Sequence, residues 1–181
     1  LQGLTYVVGA VFAGRLVQRL RRAGVSTRTT LAGTLVLLGL SCALPLVAAR
    51  ASDDTASTAW AVWAMMVVYS PLTGVHWPVV ESYVSAGRSG AELRRAMGVW
   101  NVVWCSATAG AWWAMGPLVK DHPLELIAGL GGVHILSLVI LTRFARDPAP
   151  HGDGYEPCPP VYERPRRPRC RRRRGLRGLL R

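Results

Sequence analysis

Gly14-Arg15-Leu16-Val17-Gln18-Arg19-Leu20-Arg21-Arg22 sets four arginines between two stretches that carry no charge. Leu1 to Gly14 are uncharged before it, and Thr29 to Ala49, a run of 21 residues, are uncharged after it. At about 1.5 Å of rise per residue, some 20 helical residues match the roughly 30 Å hydrocarbon core of a bilayer. Each of Arg15, Arg19, Arg21, Arg22 and Arg28 would cost about 2.5–3.5 kcal/mol at a bilayer centre. The stretch therefore reads as the tip of a hairpin between two membrane-spanning helices, held in water or among headgroups on the cytoplasmic side.

The rest of the chain repeats this pattern. Apolar runs are predicted as spans over about 1–14, 30–49, 57–83, 97–119 and 124–142, with charge confined to the gaps. Ala56 through Val80 carry no charge, and neither do Met97 to Val119. Pro45, Pro71 and Pro78 lie inside spans, where neighbouring helices can cover the carbonyls they free. Lysine and arginine number 5, 1, 3 and 1 in the successive gaps, followed by Arg143, Arg146 and a basic tail. That alternation fits five spans with every basic turn and the C-terminus in the cytoplasm. Trp60 and Trp63 open the third span, and Trp112 and Trp113 lie near the far end of the fourth, as belts at the outer interface. Gly9 with Ala13, and Ala10 with Gly14, are small-residue pairs that permit close helix packing. The fold class expected is an all-α polytopic bundle over 1–146, integral to the plasma or inner membrane, with a disordered Pro/Arg-rich tail over 147–181. The alternative for such runs, a soluble helical protein, must hide three stretches that exceed the roughly 18-residue threshold for a span.

The net charge of +12 divides unevenly. Arg164 to Arg181 hold ten arginines, and no aromatic residue is interleaved with them. Specific nucleic-acid binding is not expected without such stacking groups. The tail is either an inert solvated segment or an attachment to anionic lipid headgroups. Cys42, Cys105, Cys158 and Cys170 show no ligand spacing, so no metal, cofactor or disulfide frame is expected. No paired carboxylates, nucleophile triad or phosphate loop is present, which argues against an enzyme.

The opening stretch resembles the loop between the second and third helices of major facilitator superfamily transporters. Gly14, Leu16, Arg19 and Arg22 fit that family's pattern, while Gln18 stands in place of its acidic residue and Arg21 in place of a second glycine. His76-Trp-Pro-Val-Val-Glu-Ser-Tyr83, then Arg94-Arg-Ala-Met-Gly-Val-Trp-Asn-Val-Val-Trp104, then Gly110 and Gly116-Pro117, look like its fourth helix, cytoplasmic turn and fifth helix. The resemblance implies that the five spans are helices two to six of a twelve-helix secondary transporter whose solute site lies near mid-membrane. It implies a gating loop formed by Gly14, Arg15, Gln18, Arg19 and Arg22, latched by Glu81 pairing with Arg15 or Arg19. It also leads us to expect an incomplete chain that is inactive alone.

Polar residues within spans tend to face a bundle interior or a water-filled cavity. At about 100° per residue, Tyr69, Thr73, His76 and Tyr83 share one face of the third span, and Asn101, Cys105, Thr108 and Trp112 one face of the fourth, with Trp104 at its edge. Tyr69, Thr73, His76, Asn101, Trp104 and Thr108 are the residues expected along a solute pathway. The competing reading is plain interhelical hydrogen bonding, and the hydroxyls of Thr73 and Thr108 can also bond their own helix backbone. His134 in the fifth span has no evident carboxylate partner. The function expected is transport of a small solute. The alternative is a five-span anchor or scaffold whose basic tail binds anionic lipid or a protein partner.

Overall fold

The computed structural model describes residues 2–149. Five helices follow one another: α1 (Gln2–Arg22), α2 (Thr27–Ala51), α3 (Thr55–Ser85), α4 (Gly90–Val119) and α5 (Pro123–Leu141), and the described residues form no strand. By length and composition α2, α3 and α5 are long and apolar enough to cross a membrane. The expected tail falls outside the described residues from 150 onward.

The arginine-rich opening stretch is not a loop. It forms the last two turns of α1, because arginine, leucine and glutamine are good helix formers and cations suit a helix C-terminus. Charge bounds the membrane-compatible part of a helix without ending the helix. The same reasoning moves the start of α4 back to Gly90, so that Arg94 and Arg95 lie on its first turns. α1 ends where Gly24 adopts φ 82°. There the Val25 N–H donates to the Leu20 carbonyl at 2.9 Å and the Gly24 N–H to that of Arg21 at 3.0 Å, a Schellman closure. Ser26 then caps α2, its hydroxyl accepting from the Thr29 N–H at 3.1 Å, which satisfies one of the orphan donors of the first turn. Asp54 caps α3 by accepting from the N–H groups of Ala56 and Ser57.

α2 is central and packs on both α3 and α5, while α1 packs on α3. Glycines make these crossings close. A Cβ on Gly9 would collide with the Pro71 backbone, and one on Gly74 would meet the Tyr6 carbonyl oxygen and stand 2.8 Å from the Ala10 nitrogen. A Cβ on Gly131 would stand 2.7 Å from the Gly39 carbonyl oxygen, closing the α2–α5 crossing in the same way. Of the two small-residue pairs in α1, Gly9 and Ala13 are buried, whereas Gly14 faces open space. No residue of α4 is buried.

On α2, hydroxyls are buried beside Leu31, Leu35 and Leu38 while large apolar side chains also face outward. Thr30, Thr34, Ser41 and Pro45 of α2 are buried, whereas Leu37, Leu40, Leu44 and Val47 are exposed. The buried hydroxyls stay satisfied by bonding carbonyls of their own helix or its cap. Thr30 donates to the Ser26 carbonyl at 3.1 Å. Thr34 donates to that of Leu31 at 2.8 Å, and Ser41 to that of Leu38 at 2.8 Å. Trp60 and Trp113 are 75% and 85% exposed near opposite-running helix ends, α3 at its start and α4 at its finish.

Candidate functional site

A cavity of about 620 Å³ lies among α2, α3, α4 and α5. It runs from mid-helix, at Leu38, Tyr69 and Trp104, toward Leu31, Val80 and Phe144 at the arginine-bearing end. None of its lining residues is charged.

α3 supplies its polar wall because Tyr69, Thr73 and His76 recur at helical spacing. The Tyr69 hydroxyl is 3.0 Å from His134 Nε2 of α5, with the two rings tilted at 53°. His76 Nδ1 is 3.3 Å from Thr34 Oγ1 of α2. Thr34 has one hydroxyl proton, and it goes to the Leu31 carbonyl at 2.8 Å. With the Thr34 proton on that carbonyl, the uncharged imidazole donates to Thr34 through Nδ1 and leaves Nε2 as an acceptor. The Thr73 hydroxyl donates to the Ser70 carbonyl of its own helix at 2.7 Å.

α4 supplies the aromatic wall. Trp100 and Trp104, one turn apart, meet Trp77 of α3 edge to face, with ring centroids 6.0 and 4.5 Å away, an arrangement that the ring quadrupoles favour. These rings join α4, none of whose residues is fully buried, to α3. Tyr69, Thr73, His76 and Trp104 thus surround one cavity, while Asn101 and Thr108 do not line it. Asn101 is exposed and Thr108 half-buried, because the face that α4 turns to α3 is the one bearing Trp100. Sequence reasoning missed Trp77, Trp100 and the Tyr69–His134 pairing. The i, i+4 spacing of Trp100 and Trp104 was the available signal for the aromatic wall.

The segment after α5 packs at the arginine-bearing end of the cavity. Phe144 lines it and packs on Tyr83 at 5.1 Å between ring centroids. The Tyr83 hydroxyl donates to the Ala145 carbonyl at 3.1 Å, so Tyr83 serves this packing and not the polar wall. Asp147 Oδ1 accepts from the Thr27 N–H at 2.9 Å. The same oxygen accepts from the Thr27 hydroxyl at 2.7 Å. A carboxylate thus sits on the N-terminus of α2, where the helix dipole favours negative charge. Those two bonds hold the Asp147 carboxyl below the usual carboxylate range, since both favour its charged form. The Arg28 N–H donates to the Arg146 carbonyl at 3.1 Å, completing the strap. Asp147, placed by sequence at the start of a free tail, is therefore part of the bundle.

This strap brings the C-terminal ends of α3 and α5 together with the start of α2. The short α1–α2 and α3–α4 turns then put Arg22, Arg28, Arg88, Arg94, Arg143 and Arg146 at that same end. The expected latch is not formed: Glu81 is exposed, and the ion pair among the described residues is Arg88–Glu92 at 3.8 Å. These two sit one turn apart across the start of α4, where Arg88 also donates to the Val84 carbonyl closing α3. Among the described residues no cluster of His, Cys, Asp or Glu has the makings of a metal site. No family model matches the chain, and neither a curated protein nor a solved structure matches it.

Proposed function

We propose that the chain is a five-span membrane bundle of the major facilitator type that lines the pathway of a small solute, with its arginine-bearing end in the cytoplasm. The observation that carries this reading is the cavity itself. Polar side chains are expensive in a membrane interior, and here Tyr69, Thr73, His76 and His134 converge on one uncharged chamber that runs toward one end of the helices. The apolar outer face of α2 supports the membrane setting. Leu37, Leu40 and Leu44 are all exposed. In water, each would forgo about 1.5–3 kcal/mol of burial, a cost that a hydrocarbon surround removes. α1 and α4 bear their arginines on the terminal turns nearest the strap, where long side chains reach the headgroups while the remainder crosses.

Thiol labelling tests the proposal. Single cysteines are placed at Tyr69, Thr73 and His76, or at Leu37 and Leu40, in a chain whose four native cysteines are serine. In native membranes, a water-soluble maleimide should label Thr73→Cys and His76→Cys and leave Leu37→Cys and Leu40→Cys unreacted. Labelling of the Leu37 and Leu40 positions alone would refute the pathway. The anchor alternative predicts a dry cavity, with none of the five positions reacting.

A further inference from the structure

The lining of the cavity narrows what it can hold, an inference that rests on the solute-pathway reading above. An ion entering it would lose its hydration and find no opposite charge, because no lining residue is an acid or a base other than histidine. Trp77, Trp100 and Trp104 make one side of the chamber aromatic, and Phe144 adds a ring toward one end. A volume of about 620 Å³ accommodates one small organic molecule. The polar groups are mostly committed to one another. Thr73 and Ser137 spend their hydroxyl protons on carbonyls of their own helices, and Tyr69 is paired with His134. His76 differs: in the tautomer that donates to Thr34 through Nδ1, its Nε2 is an acceptor, and no described residue donates to it.

We propose that the cavity binds an uncharged aromatic molecule bearing one hydrogen-bond donor, a phenol or an indole in character, with its ring among Trp77, Trp100 and Trp104 and its donor on His76 Nε2. The aromatic wall selects the ring system. The vacant acceptor on His76 selects an O–H or N–H over an ether. The absence of any basic side chain other than histidine selects against anions.

Three probes of one ring system separate these terms: 2-naphthol, 2-methoxynaphthalene and naphthalene-2-sulfonate. Binding to the protein in phosphatidylcholine nanodiscs is followed by quenching of tryptophan fluorescence, with empty discs subtracted. We expect saturable binding of naphthol at one site, about five- to tenfold tighter than the methoxy compound, the difference one neutral hydrogen bond makes. The sulfonate should not bind. His76→Phe should bring naphthol and methoxynaphthalene to equal affinity, and Trp104→Leu should weaken both together. Trp104→Phe, a gentler change, should weaken both less and keep the preference for naphthol. Equal affinity of the wild-type protein for naphthol and its ether, or binding of the sulfonate, would overturn the assignment. If none of the probes binds while Thr73→Cys still reacts with maleimide, the ligand class falls and the pathway stands. If none binds and Thr73→Cys is also unreactive, both fall.

Discussion

Gly74 offers a graded test of how the helices are held, because the cost of adding one methyl there follows from distances. A Cβ at Gly74 would stand 2.8 Å from the Ala10 nitrogen, about 0.6 Å inside the 3.4 Å where ordinary contact begins, and closer still to the Tyr6 carbonyl oxygen. Both are backbone atoms of α1, so no side chain can swing aside and the helices must separate. Opening a packed interface by roughly 0.5–1 Å forfeits a quarter to a half of the dispersion attraction across it. Overpacking of this kind costs about 1–3 kcal/mol. At about 2–4 °C per kcal/mol for a chain of this size, a cost of about 2 kcal/mol lowers the midpoint by roughly 4–8 °C. Gly39→Ala should cost less, since its Cβ first meets the Ile135 side chain, at 2.7 Å to Cδ1, which can rotate away, and the nearest backbone atom, the Gly131 carbonyl oxygen, is farther off at 3.0 Å. Gly33 has nothing within 4 Å. Gly33→Ala should therefore leave stability unchanged or raise it by up to about 1 kcal/mol through helix propensity. Thermal melting of the three purified variants in one mild detergent measures the order. A Gly74→Ala protein as stable as the parent, or less affected than Gly33→Ala, would refute the close α1–α3 crossing.

Other perturbations probe separate parts of the bundle. The Asp147 carboxyl titrates below its unfolded value, so its contribution is complete above about pH 4 and lost as pH falls through the folded value. Quenching of a fluorophore at Ala149 should therefore change only below about pH 4, and Asp147→Asn should abolish that transition. The Ser70 hydroxyl is buried without a hydrogen-bond partner. Ser70→Ala should stabilise by up to about 1 kcal/mol, read as a raised melting midpoint. Gly24 holds a left-handed backbone at φ 82°. An alanine there must adopt the same conformation, so Gly24→Ala should lower stability by about 1–2 kcal/mol in the same assay.

The order and number of helices were legible because each apolar run is long and each gap is charged. Helix ends were less so: charge marks where a bilayer must stop, while Arg19, Leu20 and Arg21 go on favouring the helix. Angular spacing placed Tyr69, Thr73 and His76 together, since a single helix fixes their relation. Asn101 and Thr108 do not line the cavity, because α4 meets Trp77 of another helix through Trp100 and Trp104. The Asp147–Thr27 clasp joins residues 120 apart and leaves no local pattern to read. The Tyr69–His134 pair, 65 residues apart, is hidden for the same reason.

Sidedness of the turns tests the membrane reading most directly. Single cysteines at Ala23, Asp53, Ser89 and Asp121, all exposed turn positions, are treated in intact cells with a membrane-impermeant thiol reagent, before and after permeabilisation. Five crossings predict that Asp53→Cys and Asp121→Cys react from outside, while Ala23→Cys and Ser89→Cys react only once the cells are opened. Reaction of Ala23→Cys and Asp53→Cys from the same side would contradict it.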